Sequence, residues 1–208
     1  MKNKKTILWI ALIAMATIPV YAQEEEYDGL FKGHSIDGGK GLEITGYVGS
    51  SNEVHIPSYL YGLPVTSIGR GAFKDHIFIT HVIIPDSVTS IGVGAFWGCN
   101  ILLDVVIPDS VTTIEDEAFL GCMRLSSITI PKSVTRIGRG AFNDCIDLVR
   151  VIFEGTIASS GFNSVSKYSS FPGDLRSRFY ATDKSNGTPG TYVRTGTGRA
   201  NTKWTKQK

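Results

Sequence analysis

The chain has 208 residues, is 42% hydrophobic and carries a formal net charge of +2 at pH 7. The near-balanced charge points to no single class of partner, and the only long apolar run lies at the amino terminus, which excludes a protein of several membrane spans. The charge is unevenly distributed, however. Residues 23–154 contain 9 basic and 17 acidic side chains, whereas residues 155–208 contain 9 basic and 2 acidic ones, so an acidic body precedes a basic tail.

Residues 1–22 are predicted to be a secretory signal peptide. Three lysines open the chain, residues 7–18 are almost wholly apolar, and Val20-Tyr21-Ala22 offers small or modest side chains at a cleavage site. The apolar run is too short for a comfortable membrane span, and an uncleaved anchor is the alternative. We therefore expect an exported protein, extracellular, at the cell surface or periplasmic, with no membrane span after signal removal.

Residues 23–55 are predicted to form an N-terminal cap, with strands near 42–47 and 54–57. Residues 56–154 then repeat every 23 residues. The aligned pairs are Ala72-Phe73, Ala95-Phe96, Ala118-Phe119 and Ala141-Phe142, and Val65-Thr66, Val88-Thr89, Val111-Thr112 and Val134-Thr135. Such a period is typical of a solenoid, in which each coil buries its apolar side against its neighbours. The first unit has five additional residues at about Ser58–Gly62, which we interpret as a loop at a coil edge.

Each repeat predicts one coil of the solenoid. Ile128-Thr129-Ile130 alternates as a short strand should, and Pro131 ends that strand. Val134 and Ile137 point inward from a second extended segment, and Ala141-Phe142 begins a helical turn. The predicted class is thus an α/β solenoid with parallel strands on one side and short helical or extended segments on the other. Stacking aligns four phenylalanines in one buried column: Phe73, Phe96, Phe119 and Phe142.

Residues 155–208 are predicted to be a basic C-terminal cap or tail. Residues 171–180 suggest a turn and a short helix, and Tyr192 and Trp204 suggest a final hairpin. One hypothesis is that this segment covers the open end of the solenoid. The other is that it binds polyanions such as sulfated glycans or anionic lipid, with nucleic acid a less favoured ligand. The basic side chains assigned to this role are Arg176, Arg178, Arg194, Arg199, Lys203 and Lys206.

The repeat pattern Ile-Pro-x-Ser-Val-Thr-x-Ile-x-x-x-Ala-Phe-x-x-Cys-x-x-Leu resembles the BspA-like, or treponemal, class of bacterial surface leucine-rich repeats. The resemblance covers about residues 42–155. It implies a right-handed leucine-rich-repeat solenoid with a parallel sheet on its inner face. It also implies a surface or secreted protein that binds other macromolecules, several members being adhesins for host matrix proteins. No catalytic residues come with the family.

The three cysteines fall in one column of the repeat. Cys99, Cys122 and Cys145 are 23 residues apart, and neighbouring positions in a column are separated by about 4.8 Å, one strand spacing. With His76 in the same position of the first unit, four such residues span too far to bind one zinc ion. Parallel side chains also place neighbouring Cβ atoms further apart than a disulfide prefers. Buried free thiols are therefore the favoured interpretation, with a disulfide as the alternative.

Other motif-like fragments are interpreted as architecture. The Gly-x-Gly segments at 69–71, 92–94 and 138–140 lack a third glycine and a phosphate-binding context, and the third repeat carries Glu115 and Glu117 instead. The histidines lack metalloprotease spacing, and no Gly-x-Ser-x-Gly motif occurs. We expect no catalytic residues, no cofactor and no metal, and hence a protein that is not an enzyme.

Candidate binding residues are those that the repeat turns toward solvent. Two outward columns are predicted on the strands: His81, Asp104, Ser127 and Arg150, and beside them Ile83, Val106, Thr129 and Ile152. Such β-branched rows either stabilise the sheet or form a partner-binding face. Trp97, just after a column phenylalanine, is a second candidate that the tail could equally cover.

The sequence thus predicts an adhesin-like binding module that recognises a protein or glycan at the cell surface or in extracellular matrix. The alternative is a structural or regulatory envelope protein that binds components of its own cell. The oligomeric state is not predicted.

Overall fold

The computed structural model describes residues 29–162, 164–165, 168–197 and 203–208. The predicted signal at residues 1–22 and Arg199 lie outside the described residues. The secondary structure within them is β1 (Phe31–Ile36), β2 (Gly41–Tyr47), β3 (Glu53–His55), β4 (Tyr59–Leu60), β5 (Leu63–Ile68), β6 (His81–Ile83), β7 (Ser90–Ile91), β8 (Asp104–Val106), β9 (Thr113–Ile114), β10 (Ser127–Ile130), β11 (Arg136–Ile137), β12 (Arg150–Phe153), β13 (Ser164–Val165), β14 (Tyr168–Ser169), α1 (Leu175–Phe179), β15 (Gly190–Arg194) and β16 (Trp204–Lys206).

The strands form two principal layers. The outer sheet has the order β1-β2-β5-β7-β9-β11, with β4 added against β5. The inner sheet consists of β3-β6-β8 and β10-β12-β15-β16, and β8 lies against β10. Strands of successive repeats pair in parallel with partners 23 residues apart, as His81 with Asp104 and Ser90 with Thr113. The predicted parallel-sheet solenoid with a 23-residue period is confirmed.

Within a coil, local sequence decides where each segment begins and ends. In β10, Ile128 and Ile130 are buried while Ser127 and Thr129 are exposed, which is the alternation expected of a strand with one solvated face. The Ala-Phe segments are successive turns rather than regular helix. Among the described residues, helix is confined to α1, in the predicted tail.

The turns are bonded both within and between coils. Leu120 N–H donates to the Glu117 carbonyl at 3.0 Å, and Phe119 N–H donates to Ala141 of the next coil at 2.7 Å. The bond between coils explains why the Ala-Phe segments are not helical, because it uses an amide that would donate within the segment in a helix.

The predicted phenylalanine column forms the centre of the core. Phe73, Phe96, Phe119 and Phe142 are fully buried. Successive ring centroids are 4.9–5.1 Å apart and their planes lie within 9° of parallel. Burial of each ring contributes roughly 1.5–3 kcal/mol, and a coil obtains this only with neighbours on both sides.

The column continues into a fifth coil that the period does not reveal. Phe171 stacks on Phe142 at 4.6 Å although it follows by 29 residues, and Phe162 bridges to Ile137 in parallel. Phe142 N–H donates to Ser170 at 2.7 Å, as the amide of each earlier column phenylalanine does to the next coil. The predicted tail therefore supplies an irregular last coil in addition to its other parts.

The insertion in the first unit is a hairpin rather than a loop. Leu60 pairs with Leu63 in antiparallel register, and the two-residue turn between them has positive φ at Tyr61 (53°) and Gly62 (72°). Positive φ at both positions is the geometry of a tight hairpin turn that matches strand twist. The Tyr61 hydroxyl donates to the Phe31 carbonyl at 3.1 Å, which holds the hairpin against β1.

The remaining tail residues cover the carboxyl end of the solenoid. β15 pairs antiparallel with β12, and β16 pairs antiparallel with β15, so the predicted hairpin and short helix are both present. Trp204 is fully buried, and its indole N–H donates to the Pro172 carbonyl at 2.8 Å. The inner sheet thereby ends on β16.

Candidate functional site

The inner sheet exposes one side to solvent along the repeats, and we call this side the inner face. The strands β6 and β8 both show an exposed, buried, exposed pattern. Ile83 is 44% exposed and Val106 is 52% exposed, which is high for β-branched apolar residues in strands. The inner face comprises Glu53, His55, His81, Ile83, Asp104, Val106, Ser127, Thr129, Arg150 and Ile152.

The predicted outward columns are placed side by side by the strand register. His81 pairs with Asp104 and Ile83 with Val106, while Ser127 pairs with Arg150 and Thr129 with Ile152. All of these side chains are exposed except Ile152, which is half-buried. Their orientation is as predicted; their role in binding stays a prediction.

Two further members of the inner face were not in the predicted set. Glu53 and His55 belong to β3, where they pair with His81 and Ile83. Because of the five-residue insertion, Glu53 and its partner His81 are 28 residues apart. A search with a strict 23-residue period therefore does not find this strand. The repeated Ile-Pro at 56–57, equivalent to 84–85, was the signal that could have found it.

A shallow depression of about 210 Å³ lies on the inner face across three strands. Its lining consists of Glu53, His55, His81, Val82, Ile83, Asp104 and Val106. Two apolar side chains on adjacent strands thus lie beside two carboxylates and two imidazoles, an arrangement suited to a polar group on an apolar stem.

The depression offers hydrogen-bond acceptors. The Thr80 hydroxyl donates to the Asn52 carbonyl at 3.0 Å and lies 2.9 Å from Nδ1 of His81. The His81 ring is thereby held at the edge of the depression by its contact with Thr80. No described ion pair or side-chain hydrogen bond engages the carboxylates of Glu53 or Asp104.

A group of exposed apolar side chains adjoins the inner face, and we call it the corner patch: Ile77, Phe78, Ile101, Leu103 and Met123. It lies where the turns of the first three coils lead into the inner strands, and Phe78 is 67% exposed. In the next two coils the position of Phe78 and Ile101 is taken by Arg124 and Asp147, which form an ion pair at 3.3 Å. Aligning this column would have revealed the patch, which the sequence analysis missed.

Trp97 lies on a turn of the second coil, outside the inner face. It is 39% exposed, and the Lys74 ammonium lies 4.1 Å from its ring centroid. A cation over the ring already uses part of the surface that a partner would contact. Leu120, which occupies the equivalent position of the next repeat, is half-buried.

Arg194 is the clearest departure from the predicted polyanion set. It is 5% exposed, and its guanidinium donates to the carbonyls of Leu148 and Ile146, the latter at 2.7 Å. Burial lowers the pKa of Arg194 from its usual value. A side chain committed to backbone carbonyls inside the fold does not present its charge to a ligand, so its inclusion in a surface set is wrong.

Two other described basic side chains of the tail are engaged by partners within the fold. Arg176 donates to the Phe162 carbonyl at 3.1 Å, and Arg178 pairs with Asp174 at 2.9 Å. Lys203 and Lys206 are exposed.

The cysteine column is buried as predicted. All three cysteines are free thiols, and each Sγ donates to the carbonyl of a phenylalanine one coil earlier at 3.1–3.3 Å. Burial raises the pKa of Cys99 to about 12 and also raises the pKa values of Cys122 and Cys145. The thiols are therefore protonated, unreactive parts of the core.

The Gly-x-Gly segments are turns with a specific conformational demand. The second glycine has positive φ at Gly71, Gly94 and Gly140, between 59° and 65°. In the third repeat Glu117 takes the same conformation at 60°. Because glutamate can take the place of this glycine, the interpretation of the segment as a turn, and not as a phosphate-binding loop, is confirmed.

Within the described residues, no helix is long and apolar enough to cross a membrane. No three His, Cys, Asp or Glu side chains in that part of the chain converge in a way that could hold a metal ion.

Comparison with known proteins agrees with this architecture. A family model described as a BspA type leucine rich repeat region matches residues 64–171, just over half of the chain, in six copies. A leucine-rich repeat protein from Bacteroides capillosus is 34% identical, with a TM-score of 0.56 over 61% of this chain and 96% of that one. The leucine-rich repeat protein of T. pallidum is 32% identical, with a TM-score of 0.53 over 59% of this chain and 68% of that one. No curated protein matches the chain.

Proposed function

The chain belongs to the BspA-type leucine-rich-repeat family, and on this premise we propose that it is an exported, non-catalytic binding protein that holds a macromolecular partner on its inner face. Leucine-rich-repeat solenoids commonly serve as scaffolds that bind proteins along their sheet. The finer part of the proposal is an adhesin-like role toward a protein or glycan outside the cell.

The exposed apolar row of the inner face carries the proposal. Ile83 and Val106 lie on adjacent strands in direct register, at 44% and 52% exposure, beside the depression. Exposed apolar surface rimmed by polar groups is typical of protein-binding sites. Because the buried residue between each outward pair supplies the core contacts, the outward residues can vary at little cost to the fold.

A substitution in this row tests the proposal. Val106→Asp is expected to abolish capture of proteins from extracellular-matrix extract while changing the stability by about 1 kcal/mol or less, the span of strand propensities. Val48→Asp is the matched control, because Val48 is 55% exposed and lies outside the inner face. Capture that survives Val106→Asp, or a loss of binding accompanied by an equal loss of thermal stability, would contradict the proposed site.

Export is tested separately. Protease added to intact cells is expected to degrade a protein displayed at the surface, and antibody to the described domain should detect a released form in the medium. Full protection in intact cells, with degradation only after the outer envelope is opened, would favour the alternative role within the envelope.

A further inference from the structure

We propose that the depression on the inner face recognises a lysine or arginine side chain of an extended protein segment, whose neighbouring apolar side chains rest on the corner patch. This inference rests on the proposed function and specifies the chemistry of the partner.

The charges that line the depression favour a cation. Glu53 and Asp104 lie on either side of His81 in the strand register, and no described ion pair engages either carboxylate. Elsewhere on the solenoid, Glu115 pairs with Arg136 of the next coil at 3.1 Å. The carboxylate of Glu115 thus has a cationic partner, whereas those of Glu53 and Asp104 on the inner face have none among the described ion pairs.

The hydrogen-bonding capacity of the depression matches the same ligand. The carboxylates of Glu53 and Asp104 provide only acceptors, whereas ammonium and guanidinium groups provide only donors. Ile83 and Val106 supply apolar walls, and the long stems of lysine and arginine are apolar. An anionic or purely apolar group would leave these acceptors unpaired.

The corner patch extends the site beyond one side chain. Leu103 directly precedes Asp104 in the chain, so the apolar patch begins where the depression ends. Leu103 is exposed, as are Phe78 and Ile101, which occupy equivalent positions of consecutive coils. A segment with a basic residue flanked by apolar ones would cover both features, whereas a uniformly basic segment would leave the patch exposed.

Selection from random peptides displayed on phage tests this inference, using the full-length protein as the immobilised target. The enriched peptides are expected to carry lysine or arginine next to apolar residues. Asp104→Asn and Glu53→Gln should each weaken a chemically synthesised winner by about tenfold, the effect of one charge-assisted hydrogen bond. Asp86→Asn is the matched control, since Asp86 is exposed and does not line the depression.

The outcomes separate the two proposals. Winners that lose binding with Val106→Asp but are indifferent to Asp104→Asn and Glu53→Gln would overturn the cation site and leave the inner face as the binding surface. Winners indifferent to all three variants would overturn the inner face itself. Failure to enrich any peptide, or enrichment of peptides without lysine or arginine, would overturn the inference.

Discussion

The buried guanidinium of Arg194 is expected to be the principal anchor of the tail on the solenoid. Arg194→Leu keeps an apolar stem of similar bulk but leaves the carbonyls of Leu148 and Ile146 without this donor. An unsatisfied buried acceptor costs about 1–3 kcal/mol, so the loss of the donor to two carbonyls should cost about 2–6 kcal/mol of stability. For a domain of this size that corresponds to a fall in Tm of about 4–24 °C. The guanidinium also lies 5.6 Å from the ring of Trp204, so the tail should loosen with it.

Thermal unfolding followed by tryptophan fluorescence, together with limited proteolysis, measures this effect. The tail of Arg194→Leu should be cleaved first, while the coils remain protected. Arg178→Leu is the control, because its exposed pair with Asp174 contributes only about 0.5 kcal/mol. If both variants unfold at the same temperature and yield the same fragments, the argument that Arg194 anchors the cap is refuted.

Two other predictions concern the repeat itself. Gly94→Ala should lower the free energy of unfolding by about 1–2 kcal/mol because Gly94 has φ of 59°. Glu117→Gly, at φ of 60°, should raise the free energy of unfolding or leave it unchanged. Urea titration compares the two variants, and a stabilising Gly94→Ala would contradict the role of the positive φ. Stability should also fall as the pH rises above about 9, because burial raises the thiol pKa of Cys99 from 9.0 to about 12 and the unfolded chain then releases protons that the folded chain retains. Each such thiol lowers the free energy of unfolding by about 1.4 kcal/mol one pH unit above its unfolded pKa, and its stabilising contribution is fully present only below about pH 9. A variant with all three cysteines replaced by alanine should therefore lose less stability between about pH 9 and 10. An equal loss in the variant would be evidence against the role of the thiols.

The coils could be predicted from sequence because each position in the period has one physical role. Phe119 must fill the space between two other rings, and Ile128 must point inward on a strand that Pro131 ends. Every copy meets the same constraint, so the repeats confirm one another. The same reasoning placed the outward columns correctly, since strand alternation leaves no other face for them.

Features that break the period could not be predicted in this way. Phe171 occupies the next position of the column after 29 residues, because the fifth coil contains additional chain between Phe153 and its turn. Arg194 looked like a surface cation because charge alone does not distinguish a solvated side chain from one bonded to buried carbonyls. The hairpin at Tyr61 and Gly62 depends on positive φ at both residues, and a tyrosine in the sequence does not indicate positive φ.

The near-parallel stacking of the phenylalanine rings also sets a length scale for the ligand. The planes of successive rings differ by only 4–9° and their centroids are 4.9–5.1 Å apart, so each coil advances about one strand spacing along the stack. Two coils advance about 10 Å along the stack, which is also the length of about three residues of extended chain. An extended segment lying along the columns would therefore meet every second coil at every third residue. Ligand sequences with a three-residue periodicity would match this spacing.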